Sequence, residues 1–247
     1  MPTAKQSGAV QKRAGHALAS QLVCCVPLTE GSGTAWKEIV NDITGTEDGV
    51  GSTSWVTSSR GNDAISNTAA TGAYLKFASV PFTSSSSGSG DFTMVAIGAE
   101  PNDATGWQGI FQIGESTRNV LNINSLRIAC QGSTSASGAT TNTVNEIHDW
   151  AWTAGRSGNA TELFLDGSSD YVTGGTRDAA VATTENVYLL GIDDNPLDGE
   201  LEGIFIFQAG LTVAEVASFV ADPWDILEST GGGGFNAAWA IHANTII

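Results

Sequence analysis

Potential metal ligands are densest in one short acidic loop. Four carboxylates and one amide fall within eight residues, at Asp193, Asp194, Asn195, Asp198 and Glu200. Hard cations such as Ca²⁺ bind several oxygen ligands, and this loop offers such ligands, although its spacing is not that of an EF-hand. The candidate Ca²⁺ ligands are Asp193, Asp194, Asp198 and Glu200. The alternative is a solvated acidic turn with a hairpin corner at Asp198-Gly199.

Tryptophan side chains suggest a second kind of chemistry, since an exposed indole can stack on a sugar ring. Trp107 lies between Gly106 and Gly109 in a predicted loop, which favours exposure. Trp150 and Trp152 alternate in one predicted strand and therefore share a face. These two either stack on sugars at the surface or pack in the core of a sandwich. The candidate glycan-binding residues are Trp107, Asp193, Asp194 and Asn195.

The sequence contains no recognisable catalytic pattern. Glycoside hydrolysis needs a suitably placed pair of carboxylates. The nearest segment places Glu146 and His148 on one strand face and Asp149 on the other. The remaining histidines, His16 and His242, are far from it in sequence, and neither a nucleophile elbow nor a phosphate-binding loop is found. We therefore expect no enzymatic activity and no cofactor other than Ca²⁺.

The charge balance limits the partners that the chain can bind. The 247 residues include 26 acidic and 10 basic side chains, which gives a net charge of −16. A field of this sign repels phosphate, so we expect no nucleic-acid partner. No apolar run approaches the roughly 18 residues of a membrane span, so we expect no membrane insertion. The opening residues make a poor signal peptide, which favours synthesis in a cytoplasm without classical export.

The elements that position these residues are predicted to be short strands. Residues 92–97 alternate with mostly apolar side chains on both faces, which predicts a central strand covered on each side. Loops rich in Gly, Ser, Asn and Asp separate the strands, and this pattern favours an all-β, antiparallel two-sheet sandwich. The other strand candidates are residues 22–28, 74–77, 109–113, 120–124, 126–130, 146–153, 161–165, 187–190 and 201–208.

One helix is predicted, near the end of the sandwich. Thr212 is a suitable N-cap for the run 213–220, and Glu215 completes a capping box. Asp222-Pro223 ends the helix, because proline cannot continue it. A single short helix among many strands agrees with the all-β interpretation.

Four stretches together resemble the laminin-G-like, concanavalin-A-like jelly-roll family. Residues 22–33 are similar to the opening strand and turn of those modules. Residues 92–101 are similar to the strand F-T-x-x-x-W-V-K-P, with Gly98 at its usually basic position. Residues 162–167 resemble L-Y-V-D-G, and residues 187–216 resemble L-x-I-G followed by F-D-G-x-I-D. Their order and spacing imply an antiparallel jelly roll across residues 21–227.

Two further stretches are similar to segments of bacteriophage structural proteins. Residues 220–227 resemble an N-P-W-x-L-F exit, and residues 231–247 resemble a Gly-rich virion-protein terminus that ends in apolar residues. This resemblance implies a virion setting. The basic N-terminal residues suit docking on an acidic partner, or they form a frayed terminus. The candidate assembly residues are Lys5, Lys12, Arg13, Phe235, Trp239, Ile241 and Ile246.

These observations predict three segments. Residues 1–20 are a basic N-terminal arm, residues 21–228 are the jelly roll, and residues 229–247 are a Gly-rich hinge with a C-terminal strand arm. We expect a non-enzymatic bacteriophage virion protein, either a capsid decoration or cement protein or a head fibre. Its partners would be other capsid or fibre subunits, with the chain itself a homo-oligomer. The alternative is a carbohydrate-binding adhesin on a tail or head fibre, with a host-surface glycan as its ligand.

Overall fold

A computed structural model shows the chain as an antiparallel β-sandwich. It describes residues 5, 9–49, 53–68, 73–82, 91–103, 106–114, 119–125, 127–131, 135–154, 161–173, 184–191 and 196–230. Within these ranges the element order is strands throughout, followed by one α-helix, a short 3₁₀-helix and a last strand. No helix of this described part is long and apolar enough to cross a membrane. The predicted fold class is confirmed.

The first ten strands are β1 Val10–Lys12, β2 Leu22–Val26, β3 Lys37–Glu38, β4 Ile43–Thr44, β5 Thr46–Asp48, β6 Ser54–Thr57, β7 Asp63–Asn67, β8 Tyr74–Pro81, β9 Phe92–Pro101 and β10 Trp107–Ile113. The next ten are β11 Asn119–Asn124, β12 Arg127–Gln131, β13 Ser135–Ser137, β14 His148–Ala154, β15 Thr161–Leu165, β16 Ser168–Thr173, β17 Thr184–Leu189, β18 Gly199–Leu201, β19 Gly203–Phe207 and β20 Leu227–Ser229. Helix α1 covers Val213–Ala221, and the 3₁₀-helix covers Pro223–Ile226.

Two large sheets form the sandwich. In the described ranges the first sheet has seven strands in the order β13-β12-β11-β10-β17-β8-β5. The second has nine, of which seven follow in the order β16-β15-β14-β9-β18-β7-β6. In addition, β19 pairs with the first part of β9, and β2 pairs with β19. The second sheet therefore branches along β9, where β18 and β19 meet.

Strand β9 lies between two hydrophobic cores, as its alternation predicted. Phe92, Met94 and Ala96 point into the core between the two sheets. Val95 and Ile97 point into a second core on the other side of the nine-stranded sheet. Helix α1, the 3₁₀-helix and the N-terminal residues cover that second core. The nine-stranded sheet is thus buried on both faces, which explains why β9 reads as a continuous apolar run.

The helix forms as its local sequence predicted. The Thr212 hydroxyl accepts a hydrogen bond from the Glu215 backbone N–H at 3.3 Å, and the Glu215 carboxylate accepts one from the Thr212 N–H at 2.8 Å. This is a complete capping box, which satisfies two backbone donors at the start of the helix. The helix ends at Ala221, just before Asp222 and Pro223. Its buried side chains are Val216, Phe219 and Val220.

The adjacent cysteines show how the strand pattern divides side chains between the cores. Cys24 and Cys25 are neighbours in β2 and are both fully buried. Cys24 belongs to the core between the sheets, whereas Cys25 belongs to the second core. Both are free thiols, and burial raises the pKa of each well above its ordinary value.

The described N-terminal residues are packed against the rest of the chain and do not extend from it as the expected arm would. Strand β1 pairs antiparallel with β20, so that Gln11 lies opposite Glu228. Val10 and Leu18 are buried in the second core. The part of residues 1–20 that the structure describes therefore packs on its own chain, because the outer face of the nine-stranded sheet offers apolar surface that these residues cover.

Candidate functional site

The outward face of the seven-stranded sheet carries the polar and aromatic side chains of β10, β11 and β17. In these strands Phe111, Leu121 and Val187 point into the core between the sheets. Successive side chains of a strand point to opposite faces, so the neighbours of these core residues point away from the core. Residues that are directly opposite each other on paired strands share a face. We call this side of the sheet the amide face; Gln112, Asn122 and Tyr188 are buried in it, whereas Trp107 is exposed and Asn124 is half-buried. Its members are Trp107, Gln112, Asn122, Asn124 and Tyr188.

Trp107 lies at one end of the amide face. Its side chain is 37% exposed, as its loop-like sequence predicted. Asn124 is directly opposite Trp107 across the β10–β11 pair, so the indole and the carboxamide share one side of the sheet. An indole beside an amide is a surface that can stack on a sugar ring and also hydrogen-bond its hydroxyls.

Gln108 holds the loops around Trp107 in place. Its side chain is buried and faces inward, opposite Ile123. Gln108 Nε2 donates to the Asp103 carbonyl at 3.0 Å, and Gln108 Oε1 accepts from the Asp198 N–H at 3.1 Å. The Asn102 N–H donates to the Asp198 carbonyl at 2.7 Å. The end of the acidic loop, at Asp198, thus contacts Gln108, the residue that follows Trp107 in β10.

Two buried amides on this face have an acceptor with no hydrogen-bond partner among the residues that the structure describes. Gln112 and Asn122 are 1% and 3% exposed. Gln112 Nε2 donates to the Gly114 carbonyl, which fixes the orientation of the amide and leaves Oε1 unpaired. Asn122 Oδ1 is also buried and unpaired. Leaving a buried acceptor unsatisfied costs roughly 1–3 kcal/mol, so two on one face call for an explanation.

The residues flanking Asn122 are small. Gly109 of β10 lies opposite Asn122 on one side, and Ala129 of β12 lies opposite it on the other. Neither side chain reaches above the sheet as far as Asn122 does. Gly109, Asn122 and Ala129 thus form one row across three strands. Along β10, the larger side chains of Trp107 and Gln112 lie on either side of this row. Asn122 is buried although both of its neighbours in this row are small.

The expected Ca²⁺ ligands fall only partly in the described ranges. Asp193, Asp194 and Asn195 lie outside them, whereas Asp198 and Glu200 are described. Glu200 is opposite Glu100 in the β18–β9 pair. Burial, together with Glu100 and Glu202, raises the pKa of Glu200. Among the residues described, no group of three or more His, Cys, Asp or Glu side chains is arranged to hold a metal. Calcium binding by this loop stays a prediction.

A buried carboxylate occupies the branch of the nine-stranded sheet. Glu202 lies between β18 and β19 and is fully buried. It accepts hydrogen bonds from Ser58 Oγ at 2.6 Å and Asn62 Nδ2 at 2.8 Å. Gly98 packs against the Glu202 side chain, and its backbone has a φ of +62°. A Cβ at Gly98 would lie 2.4 Å from the Glu202 side chain, so only glycine fits there.

Lys5 also reaches this branch and does not point to solvent. Its Nζ donates to the carbonyls of Leu28 and Asp63 at 2.6 Å each and of Glu202 at 2.7 Å. The ammonium also lies 5.1 Å from the Trp224 ring centroid. Burial lowers the pKa of Lys5 to about 7, although nearby carboxylates partly oppose this. The expected docking role of Lys5 is wrong, because its buried ammonium group donates hydrogen bonds to carbonyls of its own chain.

The other expected assembly residues have varied positions. Arg13 forms an ion pair with Asp225 of the same chain. Lys12 lies in β1, opposite Leu227. The C-terminal candidates Phe235, Trp239, Ile241 and Ile246 lie outside the described residues. A role of Lys12, Arg13 and the C-terminal residues in assembly therefore stays a prediction.

A second polar group borders α1 and lines a pocket of about 440 Å³. Arg60 Nη1 donates to Asp149 Oδ1 at 2.6 Å, and the Gly98 N–H donates to the same oxygen at 2.8 Å. Burial raises the pKa of Asp149, against the opposing effect of Arg60. His148 Nδ1 lies 2.7 Å from Asp166 Oδ2. These are salt-bridged pairs in which each carboxylate already has a partner.

Sequence reasoning missed the pairings that bring several of these residues together. Arg60 and Asp149 are 89 positions apart, and Glu100 and Glu200 are paired only by the sheet register. Trp150 and Trp152 are buried in the core between the sheets, so the stacking alternative for them is wrong. The amides of the amide face could have been found from alternation in β11, since Asn122 and Asn124 alternate with Leu121 and Ile123.

The same fold occurs in solved structures at low sequence identity. Domain 4 of AbnA, a GH43 extracellular arabinanase from Geobacillus stearothermophilus in complex with arabinotriose, has a TM-score of 0.61 and 12% identity, covering 82% of this chain and 98% of that chain. A Trypanosoma rangeli sialidase has a TM-score of 0.62 and 11% identity, covering 92% and 37% respectively. The binding domain of Paraclostridial Mosquitocidal Protein 1 has a TM-score of 0.57 and 13% identity, covering 81% and 52%.

These similarities show the fold, a lectin-like β-sandwich that fits a jelly-roll module. This chain spans about a third of the sialidase and about half of the toxin binding domain. No protein-family model matches the sequence, and no curated protein matches it either.

Proposed function

We propose that this protein is a non-catalytic carbohydrate-binding module that binds sugars at the exposed end of the amide face, at Trp107 and Asn124. The observation that carries this proposal is the exposed Trp107 beside Asn124 on a sheet face lined with amides. Sugars are recognised by a flat apolar surface together with a few well-placed polar groups. A solved domain of the same fold, of which 98% is covered, is in complex with arabinotriose, which supports this class of ligand.

Direct binding tests the proposal. The full chain is applied to an array of neutral and acidic oligosaccharides, and each hit is measured by calorimetry. Trp107→Ala should weaken binding at least tenfold, because the stacking surface is lost. Tyr171→Ala is the matched control, since Tyr171 is also exposed but lies in β16 of the other sheet. An array without hits, or equal effects of the two substitutions, would contradict the proposal.

The absence of catalysis belongs to the same proposal. Among the described carboxylates, Glu100 and Glu200 are one candidate for a glycosidase pair, since they lie directly opposite each other. They belong to the nine-stranded sheet, whereas the amide face belongs to the seven-stranded one. We expect no hydrolysis of any oligosaccharide that binds. Product release that disappears in Glu200→Gln would overturn this part.

The setting that the sequence favours is a bacteriophage virion. The resemblance of residues 220–227 and 231–247 to phage structural proteins supports a capsid decoration, cement or fibre role. The chain would be made in the host cytoplasm and would meet capsid or fibre subunits as a homo-oligomer. Mass spectrometry of purified particles tests this setting, and absence of the chain from them would end it.

Calcium is a separate part of the proposal. If Asp193, Asp194, Asp198 and Glu200 bind a Ca²⁺ ion that contributes to sugar binding, a chelator should weaken that binding, and added Ca²⁺ should restore it. Equal affinity with and without chelator would instead support the solvated acidic turn.

A further inference from the structure

We propose that the exposed end of the amide face selects a sugar that carries a carboxylate, and that Arg127 binds this carboxylate. This inference rests on the proposed carbohydrate-binding function and goes further by naming the class of sugar and the residue that selects it.

The first step is the position of Arg127 in the sheet. Asn124 of β11 lies directly opposite Trp107 of β10 on one side and directly opposite Arg127 of β12 on the other. Residues that are directly opposite each other share a face, so all three side chains lie on the outward side of the sheet. We call these three residues the end row, because they lie where β10 begins and where the chain turns from β11 into β12.

The second step is the accessibility of the end row. Trp107 and Arg127 are exposed, and Asn124 between them is half-buried. Further along the same strands Gln112 and Asn122 are buried. A ligand in solution can therefore contact the end row, whereas the rest of the amide face is covered.

Two hydrogen bonds hold the end row in place. In the turn between β11 and β12, the Ser125 N–H donates to the Gly106 carbonyl at 2.9 Å, which joins this turn to the residue before Trp107. Arg127 Nε donates to Thr141 Oγ1 at 2.8 Å. Groups that are already held lose less conformational freedom when a ligand binds, which favours affinity.

The third step is the charge that Arg127 offers to a ligand. Arg13, Lys37 and Arg60 each form an ion pair with a carboxylate of their own chain. Arg127 instead donates to a hydroxyl group, and no carboxylate within the described ranges lies at ion-pair distance from it. Its bond to Thr141 uses only Nε, so the N–H donors of the two terminal nitrogens can bind a carboxylate in a forked arrangement.

The fourth step is the length of the end row. Neighbouring strands lie about 4.8 Å apart, so the backbones of Trp107 and Arg127, two strands apart, are separated by roughly 10 Å. A short oligosaccharide laid along the end row can stack one ring on Trp107 and direct a carboxylate at Arg127. Its hydroxyl groups then lie over the Asn124 amide, which can both donate and accept hydrogen bonds.

The net charge of −16 opposes the binding of an anion. At 0.15 M ionic strength this repulsion is screened over about 8 Å, so distant carboxylates contribute little. One acidic side chain closer to the site is Asp170, which accepts hydrogen bonds from the N–H and the hydroxyl of Thr140, the neighbour of Thr141. We expect direct contact with Arg127 to outweigh this repulsion, because charge-assisted forked hydrogen bonds are among the strongest that proteins form.

The test uses the full chain and two pairs of probes in calorimetry. Tri-galacturonic acid is compared with its full methyl ester, and 3′-sialyllactose is compared with its methyl ester. Each ester keeps the rings and hydroxyl groups of the acid but lacks its negative charge. We expect at least one acid to bind, and to bind at least tenfold more tightly than its ester.

Substitutions then assign this preference to Arg127. Arg127→Gln should abolish the preference for the acid over its ester, and Arg127→Lys should retain only part of it, because lysine keeps the charge but lacks the fork. Lys12→Gln is the matched control, since it also removes one positive charge but lies in β1, outside the seven-stranded sheet. It should leave the preference unchanged. Urea unfolding checks that each variant is folded.

The outcomes separate the two proposals. Equal affinity for acid and ester, with Trp107→Ala weakening both, overturns the selection of carboxylates and leaves the carbohydrate-binding function standing. The same holds if Arg127→Gln and Lys12→Gln reduce the preference equally, or if only neutral sugars of the array bind. Binding of none of the four probes, together with an array without hits, overturns both proposals.

Discussion

Gly98 is the residue on which the branch of the nine-stranded sheet depends. Its backbone has a φ of +62°, and a Cβ there would lie 2.4 Å from the Glu202 side chain. Gly98→Ala should destabilise the fold by about 2–5 kcal/mol, as the sum of backbone strain and overpacking. Urea unfolding measures this loss.

A second glycine separates these two causes. Gly61 has a φ of +81°, but nothing lies within 4 Å of a Cβ added to it. Gly61→Ala should therefore cost only the backbone strain, roughly 1 kcal/mol. If the two substitutions cost the same, the close contact with Glu202 has no energetic weight.

His148 makes the stability depend on pH. The hydrogen bond to Asp166 raises the pKa of His148 above its ordinary value, so the folded state binds this proton more tightly than the unfolded state. The resulting stabilisation is fully present below about pH 6.5 and is lost as the pH rises through the raised pKa. The melting temperature lost on His148→Gln should therefore be larger at pH 5.5 than at pH 8.5.

His16 provides the opposite case. Burial lowers the pKa of His16, although Asp225 opposes this. The folded state then favours the neutral ring, and His16 costs stability as the pH falls. His16→Gln should show the reverse pH trend, with its relative stability highest at pH 5.5. A shared trend in both variants would mean that neither ring controls the effect.

At the scale of elements, α1 depends on its cap. Thr212→Ala removes the side-chain half of the capping box and should cost about 1 kcal/mol. Thr212→Ser keeps the hydroxyl and should cost little. Thermal unfolding followed by circular dichroism measures both, and equal losses would mean that the methyl group, and not the hydroxyl, is the important part.

Elements specified by neighbouring residues could be predicted from the sequence. The capping box of α1 needs only Thr212 and Glu215, and the two buried faces of β9 follow from alternation alone. The contacts of Lys5 could not be predicted, since they join it to residues 23 to 197 positions away. The grouping of Gln112 with Asn122 could not be predicted for a similar reason, since they share a face only because of the β10–β11 register.

At the scale of the whole molecule, charge repulsion opposes folding. With 26 acidic and 10 basic side chains, the compact state concentrates negative charge. Salt screens this repulsion, since the Debye length falls from about 30 Å at 0.01 M to about 8 Å at 0.15 M. The melting temperature should therefore rise by a few degrees between these NaCl concentrations. A fall would mean that the ion pairs, such as Arg60–Asp149, outweigh the repulsion.

The adjacent cysteines of β2 allow the opening of the two hydrophobic cores to be followed separately, because Cys24 lies in one core and Cys25 in the other. A thiol reagent reaches Cys24 only when the two sheets separate, but it reaches Cys25 when the helical layer lifts away. Two labels one residue apart, told apart by peptide mapping, would thus time the opening of each interface in the same molecule. The layer whose thiol is modified first is the one that comes apart first.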